Sequence, residues 1–394
     1  MCLNILSIAI HTGLSKPATG GRNRYFHVIE ELKKHGNDII VLEPQEFFDV
    51  NDLNVAKVYT YPNYRLFHRG WNLFKDLDIW FITRLMQILG NEQVDLIAIE
   101  YPSGVFAVKL ASLLTNSNAP IIYSPQNVEF NFASEVISQV TKFSQLERKI
   151  IPPYVTALEK LATRHLVDHI IAVSEADKDL FCCKYHLDRN KVTVIPSGCE
   201  LHHLIDPRAK ERIRKHMGFG IDEMIVVFLG SYSHPPNKDA IDMITTHIAP
   251  VCEKKYNSLV FALYGSNVPK FERANVRSFG FIKDLHQAIS IADIALVPIT
   301  SGGGTKLKIF DYMNAGLPII TTRKGIEGIN VKDKEQVLIA DSTDEIVHAI
   351  GCLIRNKQQR ERLGLSARRL VEKEYNWDTI GEKLVNTYRA IGEQ

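Results

Sequence analysis

The 394-residue chain has no Cys-x-x-Cys pair and no Cys/His cluster with zinc spacing. Its six cysteines, Cys2, Cys182, Cys183, Cys199, Cys252 and Cys352, are scattered, as expected of free thiols in a reducing compartment. No apolar run reaches about 18 residues, so no membrane-spanning helix is expected and any membrane contact must be peripheral. A net charge of +2 argues against a broad nucleic-acid footprint, though not against a local basic patch. Short-period repeats and low-complexity tracts are missing. So is a Gly-x-Gly-x-x-Gly turn after an early strand with an acid about twenty residues on, which a nicotinamide dehydrogenase would carry. No Ser-His-Asp arrangement has supporting turn chemistry.

Apolar residues make up 45% and charged residues 23%, which suits a globular protein. The length suggests two domains. Met1–Ile10 is apolar without a basic leader and reads as a first buried strand, not a signal peptide. Short apolar strands then alternate with helical segments, the pattern of a parallel α/β sheet. Strands are expected at Leu3–Ile10, Asp38–Leu42, Leu96–Ile99, Ile121–Tyr123, His169–Val173 and Lys191–Ile195, with helices at Arg22–His35, Val105–Leu114 and Pro153–Leu166. Composition shifts after Pro196-Ser-Gly198, Leu201–Gly220 is charged and helical, and the alternation restarts at Met224–Leu229. Further strands are expected at Val260–Tyr264, Val276–Phe279, Ile294–Val297, Ile319–Thr321 and Gln336–Ile339. Helices are expected at Ala240–Cys252, Leu285–Ser290, Lys306–Asn314 and Asp344–Asn356, giving two Rossmann-like domains in tandem.

The most informative stretch is Ser301-Gly-Gly-Gly-Thr-Lys-Leu-Lys-Ile-Phe-Asp-Tyr-Met-Asn-Ala-Gly-Leu-Pro318. Three glycines follow a strand, and a helix is expected to start near Thr305 or Lys306. Glycines let backbone approach a ligand closely, and a helix start offers free N–H groups to a diphosphate. Lys306 and Lys308 add positive charge, and Asp311 could accept from ribose hydroxyls. A tight strand-to-helix turn with no ligand is the other reading of these residues.

This stretch resembles the donor motif of GT-B-fold glycosyltransferases, especially the retaining family-4 type (glycosyl transferases group 1). That family reads Glu-x7-Glu followed by Ala-Met-Ala-x-Gly-x-Pro. Asp311 holds the second acidic position, and Gly303 stands where the first acid is usual, near the transferred sugar. Phe228-Leu-Gly-Ser231 with Pro-Pro-Asn-Lys-Asp239 resembles the loop facing the donor phosphates, Ser231 replacing a common Arg. Phe279-Gly-Phe-Ile282 resembles the segment that reads the nucleobase, and Gly325-Ile-Glu-Gly328 a later loop. Ala172–Asp177 and Val194–Gly198 resemble the last strand ends of the amino-terminal domain, and Tyr375-Asn-Trp377 the segment that crosses back onto it. The resemblance implies donor contacts at Gly230, Ser231, Lys238, Phe281, Ile282, Gly303, Gly304, Thr305, Lys306, Leu307 and Asp311.

On the acceptor side, Gly20, Gly21 and Arg22 resemble a Gly-Gly loop under the donor, and Arg22 could meet a phosphate; a flexible loop with a surface Arg is the plainer reading. Gln126, in Ser124-Pro-Gln-Asn-Val-Glu129, stands where relatives often carry His. It can bind a sugar hydroxyl but cannot act as a general base. Glu129 reads as a first-turn helix acid more readily than as a catalytic one. His11 is equally consistent with lining the cleft or with a polar strand-end position, and His234, in the phosphate-loop region, is a candidate donor contact; neither is a strong catalytic candidate. Tyr64–Lys75, with Arg65, Arg69 and Lys75, fits a membrane-facing segment or an amphipathic helix packed on the core.

The resemblance implies an α/β protein of GT-B fold, two Rossmann-like domains facing each other across a cleft. The expected boundaries are an acceptor-binding domain at 1–200, a nucleotide-sugar-binding domain at 201–374 and a returning helix at 375–394. It implies transfer from a nucleoside-diphosphate sugar, UDP favoured, to a glycan, lipid-linked or other hydroxyl acceptor, with retention. No cofactor, metal or nucleic-acid partner is implied, and the location is cytoplasmic with peripheral contact on the inner membrane face. A catalytically silent subunit and a nucleotide-sugar epimerase remain as alternatives.

Overall fold

The computed structural model describes residues 2–10, 20–45, 55–62, 75–130, 144–271, 273–282 and 284–393, without the side chains of 20–22 and 75. The chain divides into two compact units, Met1–Ser197 with Trp377–Gln394, and Gly198–Asn376.

Among the described residues of the first unit, seven strands form one parallel sheet: β1 (Asn4–Ile8), β2 (Asp38–Pro44), β3 (Lys57–Tyr61), β4 (Leu96–Ile99), β5 (Ile121–Tyr123), β6 (His169–Ala172) and β7 (Val192–Val194). Their order is β3-β2-β1-β4-β5-β6-β7. Successive side chains point to opposite faces, and both faces are covered, which is why these strands read as near-continuous apolar runs. Ile5, Ile39, Val41, Leu96 and Ile171 share a core with Tyr25, Ile29 and Leu32 of α1 (Gly20–Lys34) and with Trp377, Ile380, Leu384 and Tyr388 of the last helix, Trp377–Gly392. Leu6, Ile8, Ile97, Ile99 and Tyr123 pack on the other face with Phe81, Leu85 and Ile88 of α2 (Ile79–Asn91) and Val105 and Val108 of α3 (Val105–Leu114).

The helix expected at Pro153–Leu166 starts earlier. Ser144 and Glu147 form a reciprocal capping box, so α4 runs from Gln145 to Leu161 with Pro152 and Pro153 inside it. A wide π-type turn, Ala162–Leu166, follows. β3 was not expected from the sequence; among the described residues it is an edge strand, paired with β2.

The second unit holds a parallel sheet of β8 (Met224–Leu229), β9 (Leu259–Tyr264), β10 (Val276–Gly280), β11 (Ile294–Val297), β12 (Ile319–Thr321) and β13 (Val337–Ile339), ordered β10-β9-β8-β11-β12-β13 among the described residues. Asp206 caps the helix Pro207–His216 by accepting from Arg208 N and Ala209 N. The helix Pro235–Met243 continues through a wide turn, Ile244–Ile248, into Ala249–Lys255. Each sheet is doubly wound, and each reverses its strand order once, between β1 and β4 and between β8 and β11. Loops leaving the carboxyl ends at such reversals part from each other and open a crevice.

Candidate functional site

In the second unit the crevice lies between the loop after β8, Gly230–His234, and the loop after β11, which carries the glycines. Leu229 N donates to Tyr312 Oη at 2.8 Å and Gly230 N to Tyr264 O at 2.9 Å. Gly265, after β9, donates its N–H to Gly280 O at 2.8 Å, and Tyr232 N donates to Ser266 O at 3.0 Å. Ser231 Oγ accepts from Ser266 Oγ at 2.8 Å. This packing leaves no room for side chains: a Cβ at Gly230 would lie 2.6 Å from Asn237 Cγ, and one at Gly265 2.0 Å from Gly230 O.

The glycine loop has Gly302 at φ +86° and Gly304 at φ +74°, which L side chains rarely adopt. A Cβ at Gly302 would lie 2.7 Å from Pro236 Cγ, whereas one at Gly303 meets nothing within 4 Å. The following helix spans Lys308–Asn314, two residues later than its expected start at Lys306. Ile309 N and Phe310 N bond to Lys306 O and Leu307 O, each at 2.9 Å, so the chain enters the helix through two i→i+3 turns and Thr305 and Lys306 lie before it. Ser301 Oγ and Thr305 Oγ1 are buried without a hydrogen-bond partner among the described residues. Such orphaned hydroxyls are uncommon and suit a site awaiting a polar ligand.

Lys308 Nζ donates to Asn237 Oδ1 at 2.7 Å and sits 4.4 Å from the centre of the Phe228 ring. Burial, and then the charge of Lys306, lower its pKa to about 7 against the pull of Asp311. Burial raises Asp311 to about 6, opposed by Lys308. Desolvation, then Lys308 and Lys306, hold the His234 imidazole below its usual range. The structure does not bring Lys238 into this cluster. It donates to Asp242 Oδ2 at 2.7 Å, one helical turn on, from an exposed position. Phe281 is 75% exposed beyond Gly280, and Ile282 packs against the core.

In the first unit, Gly20, Gly21 and Arg22 form the first turn of α1 instead of a free loop. Gln126 is half-buried in the loop after β5. Beside it Glu129 opens a helix, as expected of a first-turn acid, and is buried: burial, then Glu159 and Glu100, push its carboxyl well above the ordinary range. Glu159 accepts from Tyr185 Oη at 2.6 Å, Glu129 N at 3.0 Å and Tyr123 Oη at 3.1 Å. Its four-residue spacing from the buried Ile151 and Val155 is the sequence signal that could have flagged it. Arg24 is also buried and donates to Ile195 O at 2.9 Å. His11 and residues 64–74 lie outside the described residues. A cavity of about 1130 Å³ opens at the amino ends of β5, β6 and β7, lined by Asp168, His169, Lys191, Glu382 and Lys383 among others. That is the end of the sheet opposite to a strand-order crevice.

The geometry defines a two-unit chain with two doubly wound parallel sheets, the class that includes the GT-B glycosyltransferases. The model of "Glycosyl transferases group 1" matches residues 223–356, and that of "Glycosyltransferase Family 4" residues 18–203. The chain belongs to the group 1 glycosyl transferases of GT-B fold. It is 22% identical over 245 residues to spore coat protein SA of Bacillus subtilis, covering 56% of this chain and 65% of that protein. It is 23% identical over 230 residues to a phosphatidyl-myo-inositol mannosyltransferase of Propionibacterium freudenreichii, covering 58% and 57%. The chain thus aligns with less than two thirds of either relative. Among solved structures it resembles a glycosyltransferase from Rickettsia africae (TM-score 0.73, 14% identity, 99% and 98% covered). It also resembles Anabaena HepE in complex with UDP (TM-score 0.72, 15% identity, 99% and 100% covered). Similarity at this identity concerns the fold.

Proposed function

We propose that the second unit binds a nucleoside-diphosphate sugar at the crevice between β8 and β11, and that the chain transfers the sugar to a hydroxyl acceptor. The observation that carries this reading is the convergence there of side-chain-free backbone at Gly230, Gly265 and Gly302–Gly304 with two orphaned hydroxyls and Lys308. Backbone amides and Lys308 suit a diphosphate, Asp311 a ribose, and the main chain at Phe281 and Ile282 a base. UDP is the favoured nucleotide, supported by the HepE complex with UDP.

The amino-terminal domain, through Gly20, Gly21, Arg22 and Gln126, is the proposed acceptor side, and a glycan or lipid-linked molecule the proposed acceptor. Retention follows if the leaving diphosphate takes the acceptor proton on the same face. The protein's work is then to position two substrates and stabilise the departing charge, without a protein nucleophile. Open space at Gly303 favours one second reading, a subunit that binds nucleotide without turnover.

Asp311→Ala should weaken UDP binding about tenfold by calorimetry, the worth of a hydrogen bond to a charged group. Wild-type affinity in that variant would remove the donor assignment. Hydrolysis of UDP-, GDP- or ADP-sugars by the isolated chain separates an enzyme from a silent subunit.

A further inference from the structure

Lys306 stands in the glycine loop, yet its ammonium turns back onto its own chain. Nζ donates to Gly302 O at 2.8 Å and to Gly304 O at 2.7 Å, and its side chain is only 8% exposed. Glu327 Oε2 lies 3.6 Å from the same nitrogen and 2.9 Å from Lys324 Nζ. Two of the ammonium's three N–H bonds go to these carbonyls, and the carboxylate lies beside it as an ion-pair partner without a hydrogen bond.

Glu327 comes from the loop after β12, a different segment of chain. That loop is itself pinned. Gly325 N donates to Thr322 Oγ1 at 2.9 Å, and Thr322 Oγ1 donates to Ile299 O. A Cβ at Gly325 would lie 2.2 Å from Thr321 Oγ1. Glu327 therefore projects from a fixed support toward the glycine loop.

From this geometry we infer that Lys306 and Glu327 are a positioning pair for the proposed donor site. Lys306 gathers the carbonyl oxygens of Gly302 and Gly304, which would repel a bound diphosphate if they faced it. The backbone between two left-handed glycines then presents N–H groups outward, the arrangement of an anion-binding nest. Glu327 adds a carboxylate beside that ammonium, which lowers the cost of burying the cation. Lys308, held by Asn237 of the helix Pro235–Met243, is the cation that meets the phosphates. This inference rests on the nucleotide-sugar reading above.

Electrostatics and positioning predict opposite signs for Glu327→Gln. Removing a carboxylate beside an anion site should tighten UDP binding if Glu327 acts by charge alone. As a positioning group, its loss should weaken binding severalfold, and Lys306→Met should weaken it about tenfold. Because the two residues act as a unit, the double variant should be no weaker than Lys306→Met. Calorimetry with UDP on the full chain reads these affinities, and thermal midpoints near wild type show that the isosteric Glu327→Gln variant is folded. Glu327→Gln binding UDP as tightly as wild type, or more tightly, overturns the pair; if Asp311→Ala still weakens binding, the donor site stands without it. A wild-type chain that binds none of UDP, GDP or ADP overturns both.

Discussion

Lys308 carries the clearest pH dependence at the scale of single residues. A base whose folded pKa is lowered to about 7 leaves the unfolded state binding more protons from there up to its ordinary value. Its contribution therefore lets stability rise with pH across that window. Binding behaves oppositely, because a diphosphate prefers the protonated ammonium. UDP affinity should fall as pH rises from about 6 to about 8, with uptake of a proton on binding. Calorimetry in buffers of different ionisation enthalpy would show this, and Lys308→Met should weaken binding and flatten the pH profile. Equal proton uptake in wild type and variant would remove Lys308 from the site. The sequence shows two lysines spaced i, i+2 in this loop but not which of them is satisfied internally. That depends on Asn237 and Glu327, which lie 71 residues before Lys308 and 21 residues after Lys306, respectively.

At the scale of elements, the glycines of the second unit are not equivalent. Gly265 has φ +148°, and its added Cβ would fall 2.0 Å from a backbone oxygen, which no rotamer change relieves. Gly265→Ala should lower unfolding free energy by about 2 kcal/mol or more. Gly303→Ala meets open space and should stay within about 0.5 kcal/mol of wild type. Urea denaturation of both variants tests this, and equal midpoints would refute the packing of the three loops. The glycine-rich turn was legible in the sequence because glycines cluster there; the demand at Gly265 was not, since it comes from Gly230 in the loop after the neighbouring strand β8. Helix starts followed local chemistry where it was read correctly. Pro153 suggested a start, but the cap at Ser144 and Glu147 sets it. The buried cluster of Glu100, Glu129 and Glu159 went unseen because it joins three separate segments.

At the scale of the whole molecule, no described helix is long and apolar enough to cross a membrane. We propose peripheral contact with a membrane surface as well. Leu77, Ile79 and Trp80 are 74%, 75% and 61% exposed at the start of α2, directly after the aromatic and basic segment 64–75. Exposed apolar groups that follow basic residues in the sequence suit an anionic bilayer surface. In co-sedimentation with liposomes containing anionic lipid, the wild type should bind, and Leu77→Ser/Ile79→Ser/Trp80→Ser should lose most of that binding. Absence of wild-type binding, or no difference between the two, would discard the membrane contact.

By itself the sequence determined the alternation of buried strands and helices, and hence two parallel, doubly wound sheets. Apolar period, caps and glycine punctuation act over a few residues and are written locally. It also determined which stretch of the second unit carries the glycine loop. Only the tertiary structure decided how each charge is used: Lys238 against Asp242, Lys306 against Glu327, Lys308 against Asn237. The physical reason is that a charged group's role depends on its solvent exposure and its partner. For Lys306 and Lys308 both follow from how strands distant in sequence come to lie side by side.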